Sequence, residues 1–87
     1  MTSRATNEDA AALALRALAA TLNEPRRAER FLALTGLDAD QLRARLGEPS
    51  LLGAVIAFLE SHEPDLVAVA NDIGSSPLAL IEARRSL

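Results

Sequence analysis

Side chains capable of chemistry fall into three groups in this 87-residue chain. Glu60, His62, Glu63 and Asp65 form the first, the Arg26, Arg27, Glu29 and Arg30 run the second, and Arg84 with Arg85 the third. His62 is the single histidine and there is no cysteine. Nucleophilic catalysis is therefore confined to a serine–histidine pair, and disulfides and zinc–thiolate sites are excluded. The acidic group straddles a predicted helix end at a spacing that matches no metal motif, so it reads as solvated surface. His62 falls on the apolar stripe at the end of the fourth predicted helix, where the helix dipole favours a cation. Neither glycine-rich phosphate pattern occurs. The expectation is a chain with no catalytic residue, no metal and no cofactor, and hence not an enzyme.

The basic residues point to a different class of function. Arg26, Arg27 and Arg30, with Arg43 and Arg45, form a candidate basic patch on the second and third predicted helices. All nine basic residues are arginine, whose planar fork suits carboxylate and phosphate. Against a nucleic-acid partner stand a formal net charge of −3 and a pI near 5.0, because such binding needs a positive surface to displace counterions. Two aromatic residues, Phe31 and Phe58, leave few platforms on which bases could stack.

The elements that must position these groups are helices. Alanine and leucine dominate a composition that is 49% hydrophobic, and both are strong helix formers. Period-2 alternation is absent. Prolines at 25, 64 and 77 suit first helical turns, and glycines at 36, 47 and 74 suit helix stops. Composition and punctuation predict a disordered polar tail over residues 1–6 and a single helical domain over residues 7–87. The helices fall at about 7–22, 25–35, 39–46, 51–62, 64–73 and 77–87. Asp38 and Gln41 predict a capping box at the third. Gly53 in the fourth predicts a close approach. The fold class expected is all-α, a compact orthogonal bundle of five to six short helices.

Helix one is apolar on two sides. Ala11, Leu15, Leu18, Ala19 and Leu22 share one face, and Ala10, Leu13, Ala17 and Ala20 the other. Either the helix sits centrally in the bundle, or its second face meets a partner, which makes Leu13, Ala17 and Ala20 candidates for an interaction surface.

Residues 66–87 have the form of a helix-turn-helix. Ala70, Gly74 and Leu80 match its packed positions, and Ser76-Pro77 starts the second helix. Ser75 departs from the buried aliphatic usual after the turn glycine. Leu78, Ile81 and Glu82 occupy the outward positions, where base reading requires hydrogen-bonding side chains. Arg84 and Arg85 suit phosphates, which position rather than specify. Leu78 and Ile81 therefore join the candidate interaction surface.

The runs F31-L-A-L-T-G-L37, L51-L-G-A-V-I-A-F-L59 and A70-N-D-I-G-S-S-P77 carry a family resemblance. Over residues 29–87 the chain resembles a family of short bacterial proteins known as domain of unknown function 3572. The resemblance implies a small stand-alone cytoplasmic protein and carries over no activity, cofactor or functional residue.

The function expected is a non-enzymatic protein-interaction or self-association module, its partner another protein or a second copy in a homodimer. The alternative is a small DNA-binding protein using the last two helices. No apolar run reaches the ~18 residues of a membrane span. Arg16 interrupts the alanine- and leucine-rich stretch at residues 10–22, so a secretory signal is not expected and the cytoplasm is the expected compartment.

Overall fold

Local backbone chemistry divides the chain close to where its prolines and glycines predict. The computed structural model describes residues 2–87, with side chains from Asp9 onward. Among the described residues there are six helices and no strand: α1 (Thr2–Leu22), α2 (Pro25–Thr35), α3 (Ala39–Ala44), α4 (Pro49–Glu60), α5 (Glu63–Asp72) and α6 (Pro77–Ser86). The fold is all-α. The tail expected over residues 1–6 falls where side chains lie outside the described residues.

Four helices carry a proline in their first turn, where its missing N–H costs nothing. The Glu24 carboxylate accepts hydrogen bonds from the Arg26 and Arg27 amides at 2.9 and 3.2 Å. Asp38 and Gln41 form the expected capping box: Asp38 accepts from the Gln41 amide at 2.8 Å, and Gln41 accepts from the Asp38 amide at 2.9 Å. Ser76 accepts from the Ala79 amide at 3.1 Å. Such caps satisfy amides that no helical carbonyl reaches, each contributing about 1 kcal/mol.

Two of the three glycine stops take the expected left-handed form, Gly36 at φ 72° and Gly74 at φ 68°. After Gly74 the Ser75 amide donates to the Ala70 carbonyl at 2.8 Å and the Gly74 amide to that of Asn71 at 3.1 Å, a Schellman motif. Gly47 is different. α3 ends three residues earlier, at Ala44, through an Arg45 amide bond to the Leu42 carbonyl at 3.1 Å.

The core is built on α4. Leu51, Leu52, Val55, Ile56 and Leu59 are each at most 2% exposed. Gly53 does not mark a close approach, since a Cβ placed there meets nothing within 4 Å. Phe58 meets Phe31 of α2 edge to face, with centroids 5.3 Å apart and planes at 73°, the geometry that ring quadrupoles favour. α1 packs chiefly on α6 and α4, and also touches α2 and α5. It does so with small side chains, Ala10, Ala14 and Ala17, plus Leu18. Thr21 is fully buried on this face and donates its hydroxyl to the Ala17 carbonyl at 2.7 Å, so no buried polar group is orphaned there. The radius of gyration is 12.1 Å, equal to the ~12 Å expected of a folded chain this long.

Candidate functional site

The acidic group around His62 does not assemble. α4 stops at Glu60, so His62 lies outside that helix and its apolar stripe. It is exposed at the N-cap position of α5, where its side chain makes no capping bond. Glu60 turns to Arg84 and Asp65 turns to Arg27 and Arg30. Among the described residues no group of three or more histidine, aspartate or glutamate side chains is placed to hold a metal ion.

The basic patch also separates into pieces. Arg27 is only 7% exposed, which corrects its assignment to a surface. Its Nη1 donates to the Ala20 carbonyl at 3.1 Å and its Nε lies 3.6 Å from the Asp65 carboxylate, so it ties α2 to α1 and α5 from inside. Arg30 pairs with the same carboxylate and holds its guanidinium 6.0 Å from the centre of the Phe58 ring. Arg43 faces Asp40 at 3.0 Å and Arg45 faces Glu48 at 2.9 Å. Arg26 is exposed. Most of the positive charge is thus answered locally by carboxylate.

The axes of α5 and α6 turn through 94°, in the form of a helix-turn-helix. Leu80 and Ala83 face inward and Leu78 is 61% exposed. Ile81 is half-buried against the core, so it is not the outward residue that its position suggested. The Ser75 amide is spent in the Schellman motif. The exposed side chains of α6 are therefore Leu78, Glu82 and Arg85. Arg84 is engaged with Glu60 through both Nε and Nη2, the latter at 3.2 Å. That hydrogen bond, followed by the charge of Glu60, raises the Arg84 pKa above the ordinary arginine value.

The face of α1 expected to meet a partner packs inward instead, together with Leu18 and Ala11 of the other face. Ala17 is fully buried, and Leu13 and Ala20 are partly buried against the core, so these three do not form a free surface. The outward face is instead Ala12, Leu15, Ala19 and Leu22, with Leu15 39% and Leu22 36% exposed. Asp9 and Arg16 are exposed on its flank. α1 approaches the bundle through alanine because small side chains let α4 and α6 come close, which leaves two of its leucines outside.

The two larger surface concavities lie at the α5–α6 turn and beside α2. A cleft of about 790 Å³ lies between α1 and the α5–α6 turn, where Arg16 donates to the Ile73 carbonyl. A smaller, mostly apolar groove of about 400 Å³ lies beside Leu34, which is 71% exposed, and is lined by Ala33 and Phe58. No single helix is long and apolar enough to cross a membrane.

Architecture and surface define a small all-α protein. Residues 7–87 match the family described as protein of unknown function (DUF3572), and the chain belongs to it. The match takes in α1, which the resemblance over residues 29–87 did not. No curated protein and no solved structure matches the chain.

Proposed function

We propose that this chain is a non-enzymatic cytoplasmic helical module that works by association, with a second copy of itself or with another protein. The observation that carries this reading is the outward face of α1. Ala12, Leu15, Ala19 and Leu22 lie on successive turns of one helix, and all four stay exposed among the described residues. Covering apolar surface contributes about 25 cal/mol per Å². A continuous strip differs in this from isolated exposed leucines such as Leu34, which are ordinary on soluble proteins. Sedimentation velocity over a dilution series tests the reading. Concentration-dependent association that Leu15→Glu abolishes supports self-association. A wild type that stays monomeric throughout and matches the Leu15→Glu variant removes it.

A second reading, a DNA-binding protein, draws on the 94° turn between α5 and α6. Its weakness is chemical: Leu78 and Glu82 offer no base-reading donors, and Glu60 already engages Arg84. A gel shift at low salt decides it. Binding lost on Arg85→Ala supports it, and no binding, or binding indifferent to that change, counts against it.

A further inference from the structure

Exposed apolar residues on α1 recur at 12, 15, 19 and 22, the 3-4-3 spacing of a two-helix seam. Alanine and leucine alternate along it. Asp9 and Arg16 stand one heptad apart on the same flank, both exposed, with opposite charge. Side by side in parallel, the two copies of this flank would fall on opposite sides of the seam, so Asp9 and Arg16 would find no partner in each other. Reversing one helix sets each Asp9 against the partner's Arg16. The same register places each Ala12 opposite the partner's Leu15, so the two central layers each join one small and one large side chain.

We infer that the occupant of this face is a second copy of the chain, paired antiparallel through α1 about a twofold axis that passes between Ala12 and Leu15. The contact is isologous, so each charge pair and each alanine–leucine layer occurs twice and the assembly closes as a dimer. Arg16 keeps its bond to the Ile73 carbonyl, because a guanidinium carries five donors and the carbonyl uses one of its nitrogens. This inference rests on the self-association reading and adds to it the partner, the orientation and the register.

Charge exchange tests it. Asp9→Arg and Arg16→Asp each convert both opposite-charge pairs into like-charge pairs and are expected to weaken the dimer about tenfold. The double variant Asp9→Arg/Arg16→Asp restores opposite charges across the axis and is expected to return to within about threefold of wild type. Thermal midpoints of the monomers, taken at concentrations below dissociation, separate dimer loss from unfolding in Arg16→Asp. A double variant no tighter than the single ones, in a wild type that still dimerises through Leu15, overturns the antiparallel register and leaves self-association standing. A wild type monomeric at every concentration overturns both.

Discussion

The Nε of Arg27 lies 3.6 Å from the Oδ1 of Asp65, and both side chains are close to buried, at 8% and 13% exposure. That separation is too long for a hydrogen bond, and Nε has no other partner. The pair is therefore held by charge, with Arg30 completing the coordination of the carboxylate from the solvent side. It fixes the start of α5 against α2.

Removing the carboxylate leaves a buried guanidinium unanswered. Asp65→Ala is expected to destabilise the fold by about 3 kcal/mol, the scale found when one partner of a buried pair is lost. Arg43→Ala, whose partner Asp40 is 92% exposed, is expected to change stability by less than about 0.5 kcal/mol. Urea unfolding followed by circular dichroism compares the two.

α6 gives a second internal comparison. Leu80 is fully buried and Leu78 is 61% exposed, two residues apart on one helix. Leu80→Ala is expected to cost about 2–5 kcal/mol through the cavity it leaves, and Leu78→Ala less than about 0.5 kcal/mol. Equal losses in chemical denaturation would show that α6 is rotated from the orientation described.

The glycines divide by backbone angle. Gly74→Ala places a Cβ at φ 68° with nothing within 4 Å, so its cost is conformational alone, about 1 kcal/mol. Gly53→Ala, inside α4 with open space around the new Cβ, is expected to stabilise by up to about 1 kcal/mol. Thermal midpoints should move in opposite directions.

The Arg84–Glu60 pair has a defined signature on the alkaline side. A pKa raised in the folded state contributes stability that is fully present below the unfolded value and is lost only as pH rises through the folded one. For Arg84 both limits lie in strong alkali. The stability difference between wild type and Arg84→Met is therefore expected to stay constant from about pH 7 to 9, since arginine does not titrate there. Thermal midpoints across that range check it.

Capping was legible in the sequence because it is local. Asp38 with Gln41, Ser76 with Pro77 and the glycines at 36 and 74 each act on a backbone within a few residues. Arg27 was not legible. In a run of charged residues it looks like solvated surface, and its burial depends on Asp65, which arrives from another helix. The inward face of α1 was not legible for a different reason. A helix apolar on both sides does not tell which side packs, and here close approach to α4 and α6 selected alanine over leucine. The outward 3-4-3 strip emerged only once that choice was known.

The central claim is that the outward face of α1 is a contact surface between copies of the chain. Molar mass by light scattering, on wild type and Leu15→Glu side by side at high micromolar concentration, tests it most directly. The account predicts about twice the 9.2 kDa chain mass for wild type and the single chain mass for the folded variant. A wild type at 9.2 kDa, indistinguishable from Leu15→Glu, would contradict it.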